Sequence, residues 1–178
     1  MPDELQVNDS KVRLVKGDIT DIDVDSFVYY AREDLSLGSG YGNAIAMRGG
    51  PAIQDELKEL GPKGVTEVVI TSAGNMKARK IIHAVGPKFQ EEELPHKMRK
   101  TIINALKLAD EQGIKQVSFP AMGAGFYGVP LEESAELTLS TIKDYLQNGS
   151  RIQEVIICLL DTREYLPFQK KLNSIQQA

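Results

Sequence analysis

Cysteine occurs once, at Cys158, and histidine only twice, at His83 and His96. A single thiol excludes an internal disulfide and fits a reducing compartment. With so few soft ligands no transition-metal site can be assembled, and neither a metal nor a cofactor is expected. Positive charge is not in surplus: 21 Lys and Arg stand against 25 Asp and Glu, a formal net charge of -4, with an isoelectric point near 5.3. No global field therefore draws in a nucleic-acid backbone, which argues against free DNA or RNA as the main partner. No stretch approaches the roughly twenty apolar residues of a membrane span. The opening Met1-Pro2-Asp3-Glu4-Leu5 has no basic segment running into an apolar one, so no signal peptide is expected and the expected location is cytoplasmic. Internal repeats, low-complexity segments and linkers are also missing.

What is present is an ordinary globular composition, 42% hydrophobic and 26% charged over 178 residues, which suits one domain spanning 1–178. Short β-branched runs alternate with longer segments whose apolar residues fall three or four apart. The runs predict strands at Val12–Val15, Ser26–Tyr30, Glu67–Thr71, Lys80–Val85, Gln116–Phe119 and Val155–Leu160. The last five are apolar enough to be covered on both faces. Too little chain separates the strands at 67–71 and 80–85 for a crossover helix, so at least one pair is antiparallel. Helical periodicity places Met98, Ile102, Ala105, Leu106 and Ala109 on one face, and Leu131, Ala135, Thr138, Ile142, Tyr145 and Leu146 on another. Further helices are predicted over 43–60, interrupted near Gly49-Gly50-Pro51, and over 163–175. The expected fold is a three-layer α/β/α arrangement with a central mixed, mostly parallel sheet.

Two glycine-rich loops each join a strand to a helix. The first is Gly38-Ser39-Gly40-Tyr41-Gly42, with Asn43 as the expected N-cap. The second is Gly123-Ala124-Gly125-Phe126-Tyr127-Gly128, ahead of Pro130 as the expected first helical residue. Glycines at positive φ let backbone approach a ligand, and free N–H groups at a helix start attract an anion. One such loop reads best as a tight turn. Two at the strand-to-helix edge of one sheet point to a diphosphate gripped from both sides. Neither loop has the lysine and hydroxyl of a P-loop, which disfavours ATP or GTP hydrolysis.

Gly123, Gly125 and Gly128 also match the spacing of a dinucleotide-binding fingerprint, so a nicotinamide-dinucleotide-binding protein is a remote rival. Against it, Asp144 sits inside a predicted helix rather than at a strand end. Only one strand follows the loop, too few for a pair of βαβαβ halves.

The landmarks resemble the macrodomain family, which binds ADP-ribose and in some branches removes it from proteins or hydrolyses related esters. The resemblance runs from Leu14 to about Asp161. It rests on Gly17-Asp18-Ile19-Thr20, on the first glycine loop with Ala44-Ile45, on Ile82-His83-Ala84-Val85-Gly86-Pro87, and on Phe119-Pro120-Ala121-Met122 leading into the second loop. It implies that Asp18 accepts a hydrogen bond from the adenine amine while the Ile19 backbone contacts the ring. Asp18 read alone serves equally as the cap of a turn. The resemblance further implies that Gly40 and Tyr41, with Gly123, Ala124, Gly125 and Phe126, hold the diphosphate and cover the distal ribose, and that Gly38, Ser39, Ala121 and Tyr127 also bind the ligand. It also implies that Arg32, Leu160 and Asp161 are among the ligand-binding residues. Phe126 reads equally as a core anchor and Tyr127 as a partly exposed packing residue. His83 reads as a satisfied core or edge histidine and Cys158 as a buried apolar residue, neither of them catalytic.

The sequence departs from the family at three places. Many members carry Asn-Ala-Ala-Asn before the first loop, the last asparagine touching the distal ribose and tied to hydrolysis; here the stretch is Tyr29-Tyr30-Ala31-Arg32. Arginine has five donors and no acceptor, and cannot replace an amide toward a ribose or an attacking water. Arg32 either meets a terminal phosphate or carboxylate of the ligand or turns outward to Glu33 or Asp34. Leu37 and Ser39 stand where glycine is common, and Leu160 stands where some members place an aromatic, weakening base stacking. The expected function is therefore binding of ADP-ribose, a close derivative or an ADP-ribosylated protein, with weak or no hydrolysis. The alternative is a hydrolase acting at the distal ribose: an ADP-ribosyl hydrolase, an ADP-ribose 1″-phosphate phosphatase or an O-acetyl-ADP-ribose deacetylase.

Overall fold

The computed structural model describes residues 3–38 and 40–176. Seven strands form one sheet: β1 (Glu4–Val7), β2 (Ser10–Lys16), β3 (Ser26–Ala31), β4 (Val68–Ser72), β5 (Lys80–Val85), β6 (Gln116–Phe119) and β7 (Glu154–Leu159). Five helices accompany them: α1 (Tyr41–Gly49), α2 (Pro51–Leu60), α3 (Leu94–Glu111), α4 (Leu131–Gln147) and α5 (Thr162–Gln176). The spatial order is β1-β2-β7-β6-β3-β5-β4. The five central strands run parallel, and β1 and β4 close the two edges antiparallel. Because the central strands share one direction, their carboxyl ends lie along a single edge of the sheet.

Period-2 alternation sorts the strand residues between two cores. On one face Val28, Tyr30, Ile82, Ala84, Val155, Ile157 and Leu159 pack with Met98, Ile102, Leu106, Ile142, Phe168 and Leu172 of α3, α4 and α5. On the other, Phe27, Tyr29, Ala31, Ile81, Val85, Ile156 and Cys158 meet Ile45, Ile53 and Leu57 of α1 and α2, with Ile19 from a 3-10 turn at 19–21. The result is the expected three-layer α/β/α fold with a mixed, mostly parallel sheet.

Four local expectations change. The strand β1 was not foreseen; it forms a hairpin with β2 through Asn8, at φ 53°. Strand β4, expected to be covered on both faces, is an edge strand with only Thr71 fully buried. Gly40, not Asn43, is the N-cap of α1, and Asn43 is an exposed residue of its first turn. Pro130 caps α4 from outside, and the helix starts at Leu131. The break within 43–60 falls at Gly50, whose φ of 88° separates α1 from α2.

Candidate functional site

Strands β3 and β6 pair only at Ser26 with Val117 and Phe27 with Ser118. Beyond Phe27 the two diverge, and with no ladder to hold them together a cavity of about 450 Å³ opens between Phe27–Tyr30 on one wall and Pro120–Ala121 on the other. That volume suits a drug-sized or nucleotide-sized ligand. Each glycine loop leaves the end of one of these strands, and both line this one cavity: Gly40 and Tyr41 from the first, Gly123, Ala124 and Gly125 from the second.

Local sequence explains how each loop reaches its place. Gly40 adopts φ 54° and ψ -128° at the cap of α1. Gly42 follows beneath it, where an added Cβ would lie 2.6 Å from the Tyr29 hydroxyl oxygen. The helix start is thus pressed onto the end of β3, and its first N–H groups lack intrahelical partners. In the second loop Gly123 (φ 78°), Gly125 (φ 74°) and Gly128 (φ 78°) all occupy the left-handed region. The loop closes on itself, Val129 N–H donating to the Gly123 carbonyl (3.0 Å) and Gly128 N–H to that of Gly125 (2.9 Å). Ser134 of α4 ties it down by donating to the Met122 carbonyl (2.7 Å). The loop passes through a 3-10 turn at 125–127 before α4 begins.

The ends of the cavity differ in character. At the β3 end, Arg32 lines it and also lines a neighbouring groove of about 400 Å³, the two sharing Arg32, Phe126 and Tyr127. Its Nε lies 3.5 Å from Asp34 Oδ1, so Arg32 both faces the cavity and pairs with Asp34. Phe126 is 75% exposed on the rim, which removes the reading of a core anchor. Tyr127 is half-buried and packs on Tyr30 with ring centroids 4.8 Å apart. Its hydroxyl is buried without a partner, and burial raises its pKa. Tyr30 donates to the Pro87 carbonyl (2.5 Å), and burial pushes its hydroxyl far above the ordinary range. Burial likewise raises Tyr29, to about 12. All three phenols are protonated near neutral pH.

At the β2 and β7 end the walls are Ile19 and Leu160, with Tyr41, Arg163 and Glu164. Leu160 is 52% exposed. Asp18, Gly38 and Asp161 stand just outside the lining. Asp18 Oδ1 accepts from the Thr20 N–H (2.9 Å) and hydroxyl (2.6 Å), the capping role left open by the sequence, while its Oδ2 faces Arg48 at 3.3 Å. Asp161 Oδ1 accepts from Glu164 N–H at the start of α5 (3.0 Å). Gly38 lies beside the Arg32 guanidinium. Ser39 is outside the described residues. Sequence reasoning missed Arg163 and Glu164; the available signal was that β7 runs parallel to β6, so its carboxyl end reaches the same edge as both loops.

His83 is buried, with Nε2 2.9 Å from Thr71 Oγ1. Its Nδ1 has no partner, so it is a half-satisfied core residue rather than a satisfied one. Desolvation pulls its pKa down to about 3. Cys158 is buried as expected, and desolvation pushes its thiol up to about 11. Among the described residues no group of three or more His, Cys, Asp or Glu could hold a metal ion. Among them, too, no helix is long and apolar enough to cross a membrane.

Comparison with known proteins places this geometry. Residues 30–138 match the family model described as Macro domain. A macro domain-containing protein of Caldanaerobacter subterraneus subsp. tengcongensis is 39% identical over 173 residues, covering 94% of this chain and 98% of the relative. An ADP-ribose glycohydrolase of Xenopus laevis is 35% identical, covering 97% of this chain but 43% of its own length. The solved Oceanobacillus iheyensis macrodomain with ADP superposes with a TM-score of 0.93 at 30% identity, over 98% of this chain and 96% of that one. The Trypanosoma brucei macrodomain in complex with ADP-ribose superposes at 0.84 and 26% identity, over 89% and 68%. With more than half its length matched by the family model and a relative of this identity along nearly its whole length, the chain belongs to the macro domain family.

Proposed function

We propose that this chain binds ADP-ribose or a close derivative, free or attached to a protein, and turns it over weakly or not at all. The observation that carries the reading is the pair of glycine loops lining one cavity where β3 and β6 part. Glycine-rich backbone lines it from both sides, as a grip on a diphosphate requires. The family resemblance, which gives the adenine to Asp18 and Ile19, then supplies the ligand's direction. The base lies by β2 and β7, between Ile19 and Leu160, with Asp18 Oδ2 as acceptor for its amine. The diphosphate lies between the loops, and the distal ribose by Arg32, Phe126 and Tyr127. Macrodomains of two organisms solved with ADP or ADP-ribose support this choice of ligand.

A second reading, hydrolysis at the distal ribose, is favoured by the likeness to the Xenopus glycohydrolase. The chemistry of the β3 end weighs against it. Arg32 offers donors only, the nearby phenols hold their protons, and the one carboxylate lining the cavity, Glu164, belongs to the opposite end. Glu33 and Asp34 line the neighbouring groove instead. Among the described residues, no group at the ribose end is therefore placed and poised as a general base.

Calorimetric titration with ADP-ribose tests binding: saturable heat supports it, and none at millimolar ligand rejects it. Incubation with ADP-ribosylated protein, ADP-ribose 1″-phosphate and O-acetyl-ADP-ribose tests turnover. Product release clearly above the enzyme-free control would favour the hydrolase.

A further inference from the structure

The groove beyond Arg32 takes no part in holding the nucleotide, yet it begins where that ligand ends. Its volume is about 400 Å³, and Arg32, Phe126 and Tyr127 form the wall it has in common with the ligand cavity. These are the residues set beside the distal ribose in the reading above. The wall is low, because Phe126 is 75% exposed and Arg32 is exposed as well. Ala31 and Val85, the buried last residues of β3 and β5, give the groove an apolar floor, and Glu33, Asp34, Lys88 and Glu91 complete its lining with charge. The turn after β5 is held firmly. Glu91 Oε1 accepts from Lys88 N–H at 3.4 Å while its Oε2 faces Lys97 at 3.0 Å. Phe89 N–H donates to the Tyr127 carbonyl at 2.9 Å, which stitches this turn to the second glycine loop. Phe89 itself is left 46% exposed.

Two exposed aromatics on segments joined at Tyr127, next to an apolar hollow with a charged rim, have the make-up of a surface that docks polypeptide. A further phosphate fits poorly. Three carboxylates stand in the lining against two cations, and Gly86, the glycine among them, is covered by the Tyr30 ring, so no backbone cradle like that of the cavity is on offer. We propose that this groove seats the polypeptide that carries the ADP-ribose, with an apolar side chain beside the modified residue lying over Ala31 and Val85 and the chain crossing Phe126 and Phe89. The inference rests on the ADP-ribose reading above and narrows it. The preferred ligand is ADP-ribose joined to a protein rather than the free nucleotide.

The test is calorimetry on wild type and Phe89→Ala with free ADP-ribose, two peptide conjugates and an ADP-ribose dimer. Both conjugates carry ADP-ribose on a short peptide through a hydrolysis-resistant link, one with leucine beside the modified residue and the other with glycine there. Wild type should bind the leucine conjugate about 5- to 30-fold more tightly than free ADP-ribose, the range of one well-seated anchor residue. The glycine conjugate should bind like free ADP-ribose. Phe89→Ala should lose most of the gain for the leucine conjugate and keep wild-type affinity for free ADP-ribose, because Phe89 does not line the cavity. Its melting curve checks that the variant is folded, and the comparison of probes on wild type needs no variant. A leucine conjugate that binds no better than the free nucleotide or the glycine conjugate would overturn the assignment. So would equal losses for free and conjugated ligand in Phe89→Ala, or tightest binding by the dimer, which would mark a phosphate subsite. Absence of any ADP-ribose binding by wild type rejects the functional reading, whereas normal ADP-ribose binding with no gain from the peptide rejects this inference alone.

Discussion

Two glycines two residues apart in the second loop separate the cost of backbone strain from the loss of a ligand contact. Gly125 has φ 74° and open space around the position of an added Cβ, with no atom within 4 Å. Gly125→Ala should therefore cost only the left-handed penalty, about 1–2 kcal/mol. Gly123 has φ 78°, and its Cβ would meet Val129 Cγ2 at 2.7 Å and Met98 Cε at 3.0 Å. Both neighbours belong to the core beneath the loop. Overpacking there adds about 1–3 kcal/mol, so Gly123→Ala should lose about 2–5 kcal/mol in all. Urea unfolding with unchanged slopes measures both. Gly125→Glu extends the same open direction with bulk and negative charge. It should unfold close to Gly125→Ala yet bind ADP-ribose at least tenfold more weakly than it. Equal stability losses at 123 and 125 would refute the packing argument. Unimpaired binding by Gly125→Glu would refute the phosphate role of the loop.

Other consequences can be measured in the same way. Tyr30→Phe leaves the Pro87 carbonyl without its donor inside the core and should cost about 1–3 kcal/mol, read from the unfolding midpoint. The folded-state pKa of His83, about 3, lies below its unfolded value. Its contribution is thus complete above about pH 6.5 and is lost as pH falls toward 3. The stability of wild type should drop on acidification through that window by up to about 1.4 kcal/mol per pH unit more than that of His83→Gln. Equal slopes would mean that His83 protonates freely in the fold. Arg32→Ala breaks an exposed contact to Asp34 and should change stability by less than about 0.5 kcal/mol. Arg32→Asn, which restores an acceptor at the ribose end, should raise any hydrolysis of O-acetyl-ADP-ribose above the wild-type rate; no increase would show that the asparagine alone does not confer turnover.

Strands buried by helices on both sides were legible because burial forces long β-branched runs, as in Val155–Leu159. β1 was not. Glu4–Val7 is a four-residue edge strand with a single buried side chain, and pairing rather than burial holds it in place. The loops were legible because glycine at positive φ leaves a compositional mark. What composition could not carry was which residues meet across chain distance. Tyr30 bonding to Pro87, Tyr127 packing on Tyr30, and Arg163 lining the same cavity as Ile19 each depend on strand order, which no local pattern encodes. Phe126 was ambiguous for the same reason: an aromatic between glycines reads as anchor or rim, and only the direction of the loop decides.

The claim beneath all of these is that the backbone of 40–41 and of 123–126 grips one diphosphate from two sides. A crystal structure of the chain grown with ADP-ribose tests it directly. Both phosphates should lie within hydrogen-bonding distance of N–H groups from each loop, with the base toward Ile19 and the distal ribose toward Arg32. Phosphates held by one loop alone, or a ligand lying outside the gap between β3 and β6, would contradict it.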